Sequence, residues 1–346
     1  MADHTNTTVG GAAQVAPPAG APSPDPSRVA RSVAPRLTFR QRLSQWDVRF
    51  SPYLYIAPFF IVFIAIGLYP MIYSGYLSFF EWKPFTSHHG DFVGWHNYVK
   101  TLQDPVFRTA LTNTVAIFLL SSVPQIVVAT VIAALLDTSL RARTWWRMSI
   151  LLPFVVAPAA VALIFGSLFS DTGLVNEVIG HLGIGAIKWH DAEWHGHGVP
   201  SWIAIASMVN YRWTGYNTLI ILAAMQAVPR DTYEAAAIDG ATKVQQFLHI
   251  TVPSIRPTML FVIITSTIGG MQIFTEPHLF DTNLQGQGGA NYQYQTLTMY
   301  VYNHIGSPYN NYTWAAAASW IVFIIIIAVA MLNFFITRAI QGRGAK

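Results

Sequence analysis

Six long stretches almost free of charge decide what this chain can be. Residues 52–80, 109–136, 148–170, 257–275 and 314–337 contain no Asp, Glu, Lys or Arg, and residues 201–227 contain only Arg212. A helix needs roughly 20 apolar residues to cross the hydrocarbon core of a bilayer. Each stretch therefore reads as one crossing, and the chain as an all-α integral membrane protein. The expected spans are about 53–80, 110–136, 148–170, 201–227, 257–276 and 314–337, within a membrane domain over 49–340. Composition agrees: 53% of residues are hydrophobic and 10% charged, whereas soluble domains carry about 25% charge. With no cysteine, disulfides, thiol catalysis and thiolate metal sites are excluded.

Basic residues between spans are retained on the cytoplasmic side, so their distribution orients the chain. Arg28, Arg31, Arg36, Arg40, Arg42 and Arg49 precede the first span. Arg141, Arg143 and Arg147 lie in the second loop, Arg230, Lys243 and Arg256 in the fourth, and Arg338, Arg343 and Lys346 at the end. The first loop holds Lys83, Lys100 and Arg108, the third Lys188, and the fifth none. Both termini are expected in the cytoplasm. The net charge of +4 is then a topological bias, and no basic face beside aromatics suggests nucleic acid. Residues 1–48, rich in Ala, Pro, Gly and Ser, are expected to form a disordered cytoplasmic tail. No short apolar core precedes the first span, so that span is expected to stay as an anchor rather than be cleaved.

The fourth loop, 228–256, has an unusually explicit local code. Pro229 pre-sets a helix start, and Asp231 and Glu234 suit the positive end of the helix dipole. Ala235, Ala236 and Ala237 favour helix and keep its surface low. Gly240 suits a left-handed stop, Thr242 and Gln245 fit a capping box, and Pro253 and Pro257 part the second helix from the fifth span. The spacing predicts a cytoplasmic helix-turn-helix knob.

Glu234, Ala235, Ala236, Gly240, Ile250 and Pro253 stand at the intervals of a cytoplasmic signature: Glu-Ala-Ala, three residues, Gly, nine residues, Ile, one residue, Leu-Pro. Val252 stands where Leu is usual. On these residues the chain resembles permease subunits of bacterial binding-protein-dependent ABC importers. The runs LLPFVVAPAAVALIFGSLF, WTGYN and GGANYQYQTLTMYVYNHIG are similar to the sugar-importing, maltose-transporter type branch. The resemblance covers roughly 50–340. It implies that the knob is a coupling helix seated in an ATPase subunit. It implies as partners a second homologous permease, a pair of ATP-binding subunits and an extracytoplasmic solute-binding protein, in a bacterial plasma (inner) membrane. No Gly-Lys dipeptide occurs, so the phosphate-binding loop G-x-x-x-x-G-K-[ST] is absent. The chain is expected to be no enzyme and to hold no cofactor, with ATP and Mg bound by the partner ATPase.

Polar side chains inside spans nominate a solute path. In the fourth span Asn210, Trp213 and Asn217 share one helical face, with Arg212 and Tyr216 on the adjacent one. In the fifth, Thr265, Gly269, Gln272 and Glu276 recur on one face, with Thr275 beside it. Amides for hydroxyls and aromatic faces for C–H surfaces suit a neutral di- or oligosaccharide, and the resemblance places solute contacts in these same spans. The competing role for each polar residue is to bond neighbouring helices, with Gly269 and Gly270 allowing close packing. Arg212, roughly 16 Å into its span at 1.5 Å per residue, needs a counter-charge. The candidates are a carboxylate of the partner permease, an anionic solute such as a sugar phosphate or glycerol phosphate, or snorkelling to headgroups. Glu276 sits near the outer end of its span, at a depth that matches Arg212 poorly.

An ATP-independent carrier or channel is the second reading, but it usually carries more ionisable residues within its spans. An intramembrane enzyme would need a nucleophile–base pair or a metal motif, and neither occurs. His190, Asp191, Glu193, His195 and His197 match no established metal spacing and read as a solvated loop. Asn311-Tyr312-Thr313 has the glycosylation pattern, without meaning in a bacterial permease. Tyr69, Trp82, Trp95, Trp145, Trp146, Trp202 and Trp314 near span ends read as interfacial belts.

Overall fold

The structure, a computed structural model, describes residues 39–81, 90–138, 141–183, 185–190, 198–280, 286–289, 291–306 and 311–343, with side chains described from 50 to 336. Most of the expected N-terminal tail, Trp82, and Asp191, Glu193, His195 and His197 lie outside the described residues. The chain divides into two units, residues 1–68 and 69–346.

In the first unit, α1 (Phe39–Val62) continues into a π-helical turn, Phe63–Leu68. Every described side chain from Phe50 to Leu68 is exposed or half-buried. An apolar helix with that surface is suited to lipid, which solvates such side chains as well as a protein core does.

The second unit opens with α2 (Tyr69–Leu77), an antiparallel strand pair β1 (Phe80–Glu81) and β2 (Asp91–Phe92), and α3 (His96–Gln103). The helices that follow are α4 (Pro105–Asp137), α5 (Arg143–Val155), α6 (Pro158–Leu168), α7 (Leu174–His181) and α8 (Val199–Gln226). Next come α9 (Arg230–Ile238), α10 (Lys243–Gln246), a π-helical turn (Phe247–Thr251), α11 (Val252–Ser254) and α12 (Arg256–Met271). The chain closes with α13 (Thr275–Phe280), α14 (Leu297–Ile305) and α15 (Tyr312–Arg343).

The centre of this unit is the pair α4 and α8, which pack along each other more than any other two elements. Local chemistry starts both: Asp104 caps α4 by accepting from the Val106 amide at 2.9 Å, with Pro105 in the first turn, and a proline also opens α8. Between them the end nearer the loop 228–256 is filled by Ala129, Ala133, Ile221, Leu222 and Met225, to which Ile255 and Val262 add. The fully buried alanines, one turn apart, let the helices approach closely. Gly215 does the same for α5: a Cβ there would stand 1.8 Å from the Ile150 carbonyl oxygen.

Among the described residues, three helical stretches are long and apolar enough to cross a membrane: Phe50–Leu77, Pro105–Asp137 and Tyr312–Ile336. Two bent pairs, Arg143–Val155 with Pro158–Leu168 and Lys243–Ser254 with Arg256–Met271, raise the count to five if each is one crossing. α8 is 28 residues long but outside that set, and it carries Asn210, Arg212 and Asn217. The structure corrects two expected spans. The stretch 148–170 is no single helix; it bends by 87° between Val155 and Pro158, where Val156 and Ala157 are extended because Pro158 disfavours helical backbone before it. The stretch 257–276 stops at Met271, and Gln272 leaves the helix at φ −104, ψ 14. The connecting segments also hold α3, α7 and α14, helices of eight or nine residues, too short to stand out as crossings.

Candidate functional site

At one end of α8 the segment 228–256 forms a knob. α9 begins after Pro229 and ends at Asp239, with Gly240 at φ +81. Thr242 and Gln245 make a reciprocal capping box that starts α10. Tyr233 of α9 meets Thr251 through their hydroxyls at 2.8 Å, and the buried Gln246 donates to the Ala241 carbonyl at 3.2 Å. These bonds close the turn on itself. Among its exposed polar residues the knob presents two apolar side chains: Ile238 is 86% exposed and Val244 67%. Glu234, Ala235 and Gly240 are exposed and Ala236, Ile250 and Pro253 half-buried.

Midway along α8, Arg212 donates from Nη1 to Glu276 Oε1 at 2.5 Å, both side chains buried. Its guanidinium also lies 5.9 Å from the centre of the Trp213 ring, while Nε has no partner among the described residues. This corrects the expected mismatch of depth. Glu276 is not the next turn of α12; it belongs to α13, beyond the break at Gln272, and the redirected chain carries it to Arg212. The face expected from Thr265, Gly269, Gln272 and Glu276 is divided for the same reason. The first three are exposed, whereas Glu276 is buried.

The fourth-span residues also sort differently from the helical wheel. Asn217 is buried and donates to Gln125 Oε1 of α4 at 3.0 Å and to Ser266 of α12 at 3.3 Å, so it bonds helices together. The Asn210 Oδ1 is buried without a partner among the described residues. Trp213 and Tyr216 are open, each 37% exposed, and pack on Phe154 of α5 at 5.2 and 4.9 Å between ring centres. Of the two glycines, only Gly270 is a close approach: a Cβ there would meet Phe118 at 2.7 Å, whereas Gly269 has nothing within 4 Å.

Sequence reasoning missed the far end of the molecule. There the polar run after α13 folds inward and becomes a buried assembly. Asn113 of α4 donates to the carbonyls of Tyr292 and Gln295 at 2.8 and 3.0 Å. Thr114 accepts from the Leu297 amide, Thr296 donates to the Ile273 carbonyl, and Trp202 Nε1 donates to the Gln293 carbonyl. Tyr292 stands at φ +56, a conformation that survives only when its surroundings hold it. The single visible signal was the clustering of amides and tyrosines in GGANYQYQT. Trp202 is therefore a core residue, not part of an interfacial belt, while Tyr69, Trp95, Trp145 and Trp146 are exposed. Lys100 caps the ring of Trp314 at 4.2 Å. Beside it, burial and then the bond to Asp104 hold the Tyr300 hydroxyl protonated well above the usual phenol range, and burial lowers His304. His190 stacks on Phe280 at 4.2 Å, and no group of three or more His, Asp or Glu among the described residues could hold a metal.

The chain arranges a helix-turn-helix knob, a buried ion pair at a helix break and a folded-in polar segment along two central helices. The family model described as the binding-protein-dependent transport system inner membrane component matches residues 113–343. The chain is similar to the lactose transport system permease protein LacF of Rhizobium radiobacter, 34% identical over 291 residues, covering 83% of this chain and 93% of that protein. It is similar to the arabinooligosaccharides transport system permease protein AraP of Bacillus subtilis, 32% identical over 298 residues, covering 85% and 90%. Its fold resembles a chain of a bacterial alginate ABC transporter solved in complex with its alginate pentasaccharide-bound periplasmic protein. That match has a TM-score of 0.69 and 20% identity, and covers 87% of this chain and 98% of that one.

Proposed function

The chain belongs to the inner membrane components of binding-protein-dependent transport systems, and on that premise we propose that it forms part of the path of a neutral di- or oligosaccharide through an ATP-driven importer. It crosses the bacterial plasma membrane six times with both termini in the cytoplasm; α8 is the fourth of these crossings, and its polar residues are those of an interior helix. The domain reading is a cytoplasmic tail over 1–48, a membrane domain over 49–340 and a coupling loop over 228–256. The partners are a second homologous permease, two ATP-binding subunits that hold ATP and Mg, and an extracytoplasmic solute-binding protein. Glu234, Ala235, Ala236, Gly240, Ile250 and Pro253 shape the knob that meets the ATPase, and the exposed Ile238 and Val244 suit an apolar cleft.

The observation that carries the choice of a neutral solute is the occupation of Arg212 by Glu276. An anionic solute would have to displace a buried carboxylate from a low-dielectric site, where separating paired charges is strongly unfavourable. Trp213, Tyr216 and Gln272 are exposed and uncharged, which suits sugar hydroxyls and C–H faces. The same pairing disfavours an ion-coupled carrier, since no unpaired charge is left in α8 to bind a coupling ion. The similarity to lactose and arabinooligosaccharide permeases supports the same solute class.

The chain, tagged and extracted in mild detergent from its own cell, is expected to bring down an ATPase and a second permease. Reconstituted with its binding protein, this complex should take up a neutral oligosaccharide such as lactose or an arabinooligosaccharide only with ATP, and should not take up glycerol phosphate. Uptake by the chain alone without ATP would overturn the importer reading; uptake of the phosphate would overturn the neutral-solute reading.

A further inference from the structure

The ion pair stands where two levels of structure meet. α8 leads into the loop 228–256 and α12 leads out of it, so both helices feel whatever moves that loop. α12 stops at Met271, and its continuation through Gln272 to α13 is non-helical, so the helix itself does not run on into α13. Beyond α13 lies the folded-in outer segment, which α8 holds from above through Trp202 and the Gln293 carbonyl. Arg212 lies ten residues further along α8, roughly 15 Å at 1.5 Å per residue, and holds Glu276 from below. α13 and the segment after it are thus each held by α8, at two heights.

We propose that Arg212 and Glu276 are positioning residues, an internal counter-ion pair that ties α13 to α8 across the break, and that neither contacts solute. The inference rests on the importer reading. Displacement of α8 at the cytoplasmic loop then carries the inner edge of the outer segment with it, and opening on one side of the membrane is linked to the ATPase on the other. The physical basis is the steepness of a buried pair: a guanidinium with a single carboxylate in a low-dielectric site cannot let that partner drift without exposing an uncompensated charge. A hydrogen bond between neutral side chains would give way far more easily. Because the two charges neutralise each other, the tie adds no net charge to a path lined by Trp213, Tyr216 and Gln272.

The test uses the reconstituted complex of both permeases, the ATPase and the binding protein, with lactose and an arabinooligosaccharide as solute probes. Glu276→Gln is expected to lower uptake by about tenfold or more, as loss of one partner of a buried pair requires. Hydrolysis of ATP should continue and should lose its dependence on the loaded binding protein, so that more ATP is consumed per solute moved. The apparent KM for solute should stay within about twofold, since neither residue touches it. The exchanged pair, R212E with E276R, should recover most of the coupling, because the tie needs opposite charges and not their order. If wild type takes up neither probe with ATP, the importer reading itself fails. If wild type works and Glu276→Gln keeps its uptake and its ATP-to-solute ratio, the tie is overturned. A raised KM with an unchanged ratio would mean solute contact, and an exchanged pair that fails to assemble or to recover coupling would mean that each residue has a separate role; both overturn the proposal.

Discussion

Gly240→Pro is expected to abolish ATP-driven uptake while leaving the chain in the membrane. Gly240 stands at φ +81 between α9 and α10, and proline is confined near φ −65°, so the substituted chain cannot make this turn. The two halves of the knob would then leave the turn in different directions, and the contacts that close it, Tyr233 with Thr251 and Gln246 with the Ala241 carbonyl, could not form together. Insertion depends on the apolar stretches, which are untouched. Gly240→Ala separates backbone strain from crowding. A Cβ at this position meets nothing within 4 Å, so its effect comes from the left-handed backbone alone, about 1–2 kcal/mol, and uptake should be reduced rather than lost. Glu234→Lys, which reverses a charge on the exposed face of α9, should also abolish uptake with insertion intact. The checks are uptake of radiolabelled sugar, ATPase activity and the amount of chain in washed membranes. Normal uptake by Gly240→Pro and Glu234→Lys would remove the coupling role from the knob.

Gly215→Ala is expected to destabilise the membrane domain more than any other single methyl added to α8. Its Cβ would stand 1.8 Å from the Ile150 carbonyl oxygen and 2.7 Å from the carbonyl carbon. The obstacle is backbone, which no rotamer change can move aside. α5 would have to retreat from α8, dragging Phe154 away from Trp213 and Tyr216. Overpacking of this kind costs about 1–3 kcal/mol, and more where the backbone is rigid. The measurement is thermal unfolding of the purified complex in detergent beside Gly269→Ala, which meets nothing within 4 Å and should leave the transition unchanged. Equal transitions for the two variants would show that α5 and α8 do not approach at Gly215 as described.

How much of this was legible in the sequence differs from residue to residue, for physical reasons. The turn at Gly240 and the capping box of Thr242 and Gln245 could be read because they depend on neighbours within a few positions. The ends of α8, Val199 and Gln226, fall within two residues of the expected 201–227, whereas α4 begins at Pro105, ahead of the expected 110, because the Asp104 cap and Pro105 start the helix before its uncharged run does. The break at Val156 and Ala157 left a trace in Pro153 and Pro158, but Pro124 lies inside α4 without ending it. A proline therefore announces a weak point, and packing decides whether the helix yields there. The close approach at Gly215 had no more signal than the open Gly269; what distinguishes them is the backbone on the other side.

The partner of Arg212 was the largest loss. A helical wheel assumes that the helix continues, and on that assumption Glu276 falls on one face with Gln272 and Thr265, at the wrong depth. The chain instead turns at Gln272, and the carboxylate arrives from a direction that periodicity cannot describe. Asn217 was misplaced in a related way. Its amide faced a span, but whether that face met solute or Gln125 of α4 depended on which helix stood opposite.

The sequence by itself determined that this is a membrane protein of long apolar helices with a helix-turn-helix loop between the fourth and fifth stretches. Those properties follow from the length of uncharged runs and from backbone preferences acting over a few residues. Only the tertiary structure decided where two helices break, which glycine carries a contact, that the polar run before the last helix is buried, and that Arg212 and Glu276, 64 positions apart, neutralise each other. Those outcomes depend on which surfaces face one another in space, and free energies of pairing and packing between distant segments leave no periodic mark along the chain.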